Sequence, residues 1–91
     1  MLYAIICQDR PDSEALRKAT RDAHLGYIRS FDVRLAGPML AADEATMIGS
    51  LILLEAENLQ AAQSFADEDP YRLAGLFETV TIKPFRQVIP A

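Results

Sequence analysis

Apolar residues dominate the start of the chain, where Leu2 to Gln8 forms a short run typical of a buried strand. Asp12 or Ser13 can then cap a helix, and between residues 13 and 31 apolar positions recur every three or four residues, which predicts an amphipathic helix. The stripe predicted to face the core consists of Leu16, Thr20, Ala23, Tyr27 and Phe31. The charged residues expected outside this stripe are Arg17, Lys18, Arg21, Asp22 and Arg29.

The rest of the chain alternates between strand-like runs and one further helical stretch. The predicted elements are a strand over 32–36 closed by Gly37 and Pro38, a strand over 46–56, a helix from Glu57 or Asn58 that ends at Asp69-Pro70, a short link over 71–76, and a strand over 77–82. Because proline cannot donate to a sheet ladder, Pro84 confines any continuation of the last strand to a sheet edge or a bulge.

This order, β-α-β-β-α-β, predicts a ferredoxin-like α+β fold with a four-stranded antiparallel sheet and two helices on one face. Leu51 to Leu54 place apolar side chains on both faces of the third strand, since successive residues of a strand point to opposite sides. The two helices cover only one face. The sequence therefore predicts that a second copy of the chain covers the other face, because closed two-fold dimers are the commonest oligomers.

Composition limits the partners of this chain. Its 91 residues are 51% hydrophobic and 24% charged, which is consistent with a single folded domain over 1–91. The net charge of −4 disfavours nucleic acid and anionic membrane surfaces as partners, because both attract basic proteins. The apolar start lacks a basic flank and a cleavage site, and a single cysteine, Cys7, cannot form an internal disulfide. We therefore expect a cytoplasmic protein with a buried, inert Cys7.

Two residues are candidates for acid–base chemistry. His24 is the only histidine and lies at the margin of the predicted helix stripe, from which it can reach a cleft; the alternative is a structural histidine on the helix surface. Asp69 belongs to a cluster of carboxylates at the end of the second helix, and the alternative for it is a solvated helix end with Pro70 as the stop signal. A metal site is not indicated, since no metal-ligand spacing is present.

Several short motifs, taken together in their order along the chain, resemble the YciI-like (YCII-related) family. They are His24-Leu25, Ala36-Gly37-Pro38, Gly49-Ser50, Asp69-Pro70-Tyr71, Ala74-Gly75-Leu76-Phe77, Val80 and Lys83-Pro84-Phe85. The resemblance runs along nearly the whole chain and implies a dimeric α/β barrel, which agrees with the burial argument. The short, Gly-poor loop between Gly37-Pro38 and Gly49-Ser50 departs from many relatives. If this loop shapes the pocket, the identity of a relative's substrate does not carry over.

The family is associated with a His–Asp active site, and one branch is a dehydrochlorinase that acts without a cofactor on a chlorinated hydroxyhydroquinone. Carried over by position, the resemblance implies His24 and Asp69 as the catalytic pair. It also implies a small-molecule cleft lined by Gly37, Pro38, Ser50 and Tyr71. The predicted function is a small cofactor-independent enzyme of the lyase or isomerase type that moves a proton on a small organic substrate, aromatic ones included. The alternative is a non-catalytic dimeric module that binds a small ligand or regulates.

Overall fold

A computed structural model describes all 91 residues and contains four strands and three helices. In chain order they are β1 (Leu2–Asp9), α1 (Glu14–Ile28), β2 (Val33–Leu40), β3 (Met47–Glu55), α2 (Leu59–Asp67), α3 (Pro70–Leu73) and β4 (Phe77–Phe85). None of the three helices has the length and apolarity that crossing a membrane requires.

The strands form one antiparallel sheet in the order β2-β3-β1-β4, which confirms the predicted ferredoxin-like fold. In the two central strands, Ile5 lies opposite Ile52, and on its other side it lies opposite Ile82 of β4. Because side chains alternate between the two faces of a strand, this register places every second residue of each strand on the side of the helices.

The helix-facing side of the sheet carries the core. Its buried members on the two central strands are Tyr3, Ile5, Cys7, Ile52 and Leu54, and α2 packs Ala62, Phe65 and Ala66 into the same cluster. Burial in this cluster raises the pKa of the Cys7 thiol to about 12, with smaller contributions from the nearby charges of Asp69 and Asp9. The thiol is therefore protonated at neutral pH, and Cys7 is a small apolar core residue, as expected.

The predicted stripe of α1 is mostly wrong, since Tyr27 is the only partly buried apolar residue of that stripe that packs against the core. The buried residues of α1 are Arg17, His24 and Ile28. Leu16, which is on the helix, and Phe31, which follows its end, are 37% and 43% exposed. The true face is offset by one position, or about 100° around the helix axis. The prediction failed because it ranked residues by hydrophobicity, whereas two polar side chains of α1 are buried with polar partners.

Two strand boundaries also differ from the prediction. Gly37 and Pro38 lie inside β2 rather than closing it, and β4 runs on through Pro84 to Phe85. Both strands are edge strands, where a proline costs no ladder bond if its nitrogen faces outward. The confinement of Pro84 to a sheet edge is confirmed.

The link predicted over 71–76 contains the short helix α3 instead. Asp69 caps this helix, because its side chain accepts a hydrogen bond from the backbone N–H of Tyr71, and Pro70 occupies the first turn, where its missing N–H is not needed. The carboxylate that sequence placed at the end of one helix is therefore the cap of the next.

The second face of the sheet is open. Ile6 and Leu51, which lie opposite each other on the central strands, are 37% and 38% exposed on this face, while their neighbours Ile5 and Ile52 are buried under the helices. The third strand thus has apolar residues on both faces, as predicted, and only one of these faces is covered by this chain.

Two glycines test the packing of the sheet and of α1. A Cβ at Gly49 would overlap the backbone carbonyl of Cys7 and lie 2.8 Å from Met39 Cε, whereas a Cβ at Gly26 would meet nothing within 4 Å. We expect Gly49→Ala to lower the free energy of unfolding by about 2 kcal/mol or more, since the strands must separate. Gly26→Ala, the matched control, should raise it by about 0.5–1 kcal/mol, because alanine loses less backbone entropy in a helix. Urea denaturation followed by circular dichroism measures both, and equal effects of the two variants would contradict this account of β1–β3 packing.

Candidate functional site

His24 and Asp69 meet in a buried hydrogen bond. The Nδ1 atom of His24, on α1, lies 2.8 Å from Oδ1 of Asp69, which is 2% exposed. The same Oδ1 atom accepts the backbone N–H of Tyr71 at 2.9 Å. The capping geometry of α3 therefore holds the carboxylate in place, and the carboxylate in turn orients the imidazole.

This arrangement sets the tautomer of the ring. A carboxylate accepts hydrogen bonds, so a neutral His24 carries its proton on Nδ1 and leaves Nε2 as a free acceptor. Nε2 has no hydrogen-bond partner in the protein, and it is not among the fully buried polar atoms, so solvent reaches it. The free nitrogen is thus available to a small molecule.

Tyr71 supports the imidazole from one side. Its ring stacks on that of His24, with the centroids 4.0 Å apart and the planes 18° from parallel. Burial raises the pKa of Tyr71, although the charges of Arg17 and Arg21 partly oppose this effect. The phenol is therefore protonated at neutral pH and can donate a hydrogen bond.

Arg17 connects α1 to the sheet at the other end of the site. Its guanidinium makes two parallel hydrogen bonds to Asp9, at 2.7 and 2.9 Å, and a third to Ser50 Oγ at 2.8 Å. The guanidinium carbon also lies 4.7 Å from the centroid of the Tyr71 ring. Burial lowers the pKa of Arg17, but the hydrogen bonds and charge of Asp9 outweigh it and leave that pKa raised. Arg17 is therefore a charged positioning residue whose charge is balanced by Asp9.

These side chains surround a cavity of about 180 Å³ between α1, α3 and the β2–β3 half of the sheet. The twelve residues that line it are Arg17, Arg21, His24, Leu25, Ile28, Ala36, Gly37, Pro38, Met47, Ser50, Ile52 and Tyr71. All four residues expected to line a cleft are among them. Asp69 is not, because it lies behind His24 and reaches the cavity only through the imidazole.

Sequence inspection missed Arg17 and its partner Asp9, since a charged residue of an amphipathic helix is normally assigned to solvent. A signal for Arg17 was nevertheless present. Arg17, Arg21 and His24 follow one another at intervals of four and three residues, so they share one face of α1. Polar residues can show helical periodicity as apolar ones do, and here this periodicity marks the wall of the cavity.

The fold and the cavity define a small α+β protein of the ferredoxin-like kind, with the architecture of the dimeric α/β barrel superfamily. Within that class the family model of the YCII-related domain matches residues 1–86, and the chain belongs to this family. Protein YciI of Escherichia coli is 44% identical, with 97% of this chain and 99% of that protein covered. An uncharacterized protein of Haemophilus influenzae is 38% identical over the same shares.

Solved structures of other proteins share this fold, among them the following two. The 5-chloro-2-hydroxyhydroquinone dehydrochlorinase TftG of Burkholderia phenoliruptrix, in complex with 2,5-dihydroxybenzoquinone, superimposes with a TM-score of 0.90 at 33% identity, covering 97% of this chain and 96% of that one. Rv0793 of Mycobacterium tuberculosis superimposes with a TM-score of 0.59 at 18% identity, covering 98% and 99% of the two chains. The second likeness concerns the fold alone.

The bond between Asp69 and His24 has a measurable consequence. Asp69→Ala leaves the N–H groups of His24 and Tyr71 without an acceptor, so we expect it to lower the free energy of unfolding by about 2–4 kcal/mol. Asp69→Asn keeps an acceptor oxygen and should lower the free energy of unfolding clearly less.

In the wild type, nitrogen-15 NMR of His24 should show the proton on Nδ1 at pH 8. A proton on Nε2 in the wild type would contradict the described tautomer.

Proposed function

We propose that this protein is a small cofactor-independent enzyme of the lyase or isomerase type, in which His24, oriented by Asp69, moves a proton on a small organic substrate. The observation that carries the proposal is the His24 imidazole: a buried carboxylate holds Nδ1, Nε2 has no hydrogen-bond partner in the protein, and the residue lines the cavity. A histidine with only a structural role has no need of a second nitrogen left free at a cavity wall.

The proton transfer follows from this geometry. A substrate C–H or O–H at Nε2 gives its proton to the neutral imidazole, and the resulting imidazolium is stabilised by the negative charge of Asp69. The same proton can return to another atom of the substrate, which is an isomerisation, or accompany the loss of a leaving group, which is an elimination. Acid–base catalysis of this kind typically contributes about 10²–10⁴-fold in rate.

The cavity suits a one-ring substrate. Its volume of about 180 Å³ is comparable with the cavity of about 150 Å³ that takes up benzene in another protein. Leu25, Ile28 and Ile52 provide apolar walls, whereas Ser50 and Tyr71 offer hydroxyl groups. TftG, which is named for its action on a chlorinated hydroxyhydroquinone, supports a hydroxylated ring as the substrate class.

The test is a proton-transfer assay on His24→Gln. Purified protein is incubated with one-ring hydroxylated and enolisable compounds, 5-chloro-2-hydroxyhydroquinone among them, and chloride release and deuterium uptake from D₂O are followed. We expect the wild type to act on at least one compound and His24→Gln to be slower by about 10²–10⁴-fold, because the proton acceptor is lost. Asp22→Asn, which changes an exposed residue of the same helix, is the matched control and should keep the wild-type rate.

A His24→Gln variant that folds and retains the wild-type rate would rule out the proposed role of His24. Binding of a compound without any turnover, unchanged in His24→Gln, would instead favour the ligand-binding or regulatory module.

We further propose that the working unit is a homodimer formed through the open sheet face. Ile6 and Leu51 lie side by side in the middle of this face, and leaving them in water sacrifices the free energy of burying them. The architecture is that of dimeric α/β barrels, which supports pairing of sheet on sheet. A second copy would present the same apolar residues, as a two-fold interface requires.

Sedimentation measures this pairing directly. The wild type should sediment with about twice the 10.1 kDa of one chain, and the double variant Ile6→Asp with Leu51→Asp should sediment as a monomer, because four carboxylates would meet in an apolar interface. Leu73→Asp is the control, since Leu73 is also an exposed apolar residue but lies on α3, on the other side of the sheet. A monomeric wild type at micromolar concentration would overturn the proposal.

A further inference from the structure

Charge is unevenly compensated around the cavity. Its lining contains three basic side chains, those of Arg17, Arg21 and His24, and no carboxylate. Behind the wall, Asp9 balances Arg17 through two hydrogen bonds, and Asp69 accepts from His24. Of the three, only Arg21 has no ion-pair partner and no side-chain hydrogen bond.

The position of Arg21 on α1 explains why it has no partner. Residues three and four positions away on a helix are its surface neighbours, and for Arg21 these are Arg17, Lys18, His24 and Leu25. None of them is acidic. The guanidinium therefore stands at the cavity with basic neighbours, in a protein whose net charge is −4. Its positive charge reaches Tyr71, whose pKa it lowers against the larger effect of burial.

From this imbalance we infer that the cavity takes an anionic substrate, such as an ionised enol, phenol or carboxylate, and that Arg21 binds its negatively charged oxygen at the mouth of the cavity. That the bound anion is a substrate rests on the proposed function, but the binding of an anion by Arg21 does not depend on catalysis.

The assignment fits the geometry of the site. Arg21 lies about one helical turn from His24, and both line the cavity, so a one-ring molecule whose oxygen is held by the Arg21 guanidinium can extend toward the imidazole. Arg17 is less suited to this purpose, because Asp9 balances its charge and because Nε and Nη2 already donate to Asp9 and Ser50. An arginine fork also suits a planar anion, since it can donate two parallel hydrogen bonds to adjacent oxygens.

Binding of anions and of their neutral counterparts provides the test. Two anionic probes are titrated by calorimetry at pH 7.5: 2,5-dihydroxybenzoquinone, whose hydroxyls are vinylogous acids and ionised at this pH, and benzoate. Hydroquinone and benzamide are their neutral counterparts. We expect the wild type to bind at least one anion more tightly than its counterpart, and Arg21→Gln to weaken that binding by about tenfold, because a charge-assisted hydrogen bond is lost.

Two further variants separate a specific contact from a change of overall charge. Lys18→Gln removes the same charge from the same helix outside the cavity and should leave anion binding within about twofold of the wild type. Arg21→Lys should restore part of the affinity. Urea denaturation should give the same unfolding free energy for Arg21→Gln and the wild type, since Arg21 makes no side-chain hydrogen bond or ion pair.

The inference is wrong if the wild type binds neither anion in preference to its neutral counterpart, or if Arg21→Gln and Lys18→Gln have equal effects. The proposed function fails separately, through His24→Gln. Loss of turnover in His24→Gln with no effect of Arg21→Gln on binding would uphold catalysis and reject the anion site, and the reverse result would uphold the anion site alone.

Discussion

A charge taken out of water needs an opposite charge or hydrogen-bond donors and acceptors around it, and this requirement governs the side of α1 that faces the sheet. Arg17 is 3% exposed and is tolerated there because Asp9, at the end of β1, meets its guanidinium with both oxygens. Asp69 is equally buried and is held by the imidazole of His24 and the backbone of α3. These two pairs fix how α1 and α3 sit relative to the sheet, and so they define the cavity between them.

The same pairs determine what the cavity can do. Each acidic partner lies behind the wall, so the carboxylates orient their basic partners without facing the cavity themselves. The polar part of the cavity lining therefore consists of hydrogen-bond donors, such as the arginine side chains, and one free imidazole acceptor. Stacking of Tyr71 on His24 holds that imidazole in place. Such a wall suits a molecule that carries negative charge and gives up a proton. The absence of carboxylates from the lining thus connects the proton chemistry of His24 with the anion proposed for Arg21.

Prediction from sequence succeeded where hydrophobicity and local periodicity alone decide whether a side chain is buried. The order of strands and helices, the burial of Cys7 and the two apolar faces of β3 all follow from side-chain alternation and hydrophobicity. It failed for α1, where burial was assigned to Leu16 and Phe31 rather than to Arg17 and His24. The cost of burying a charge depends on a partner elsewhere in the chain, and Asp69 is 45 residues from His24. Local periodicity contains no information about that distance.

By itself, then, the sequence determined the ferredoxin-like fold, the apolar open face and the identity of His24 as the one side chain suited to proton transfer near neutral pH. The family resemblance implied the pairing of His24 with Asp69, but the tertiary structure alone gave the hydrogen bond between them, the burial of Arg17 and the unpaired state of Arg21. The physical reason is the separation along the chain of the residues that each interaction joins. Alternation and helical periodicity act between neighbours along the chain, whereas the hydrogen bonds that compensate a buried charge act between atoms about 3 Å apart, whatever their separation in sequence.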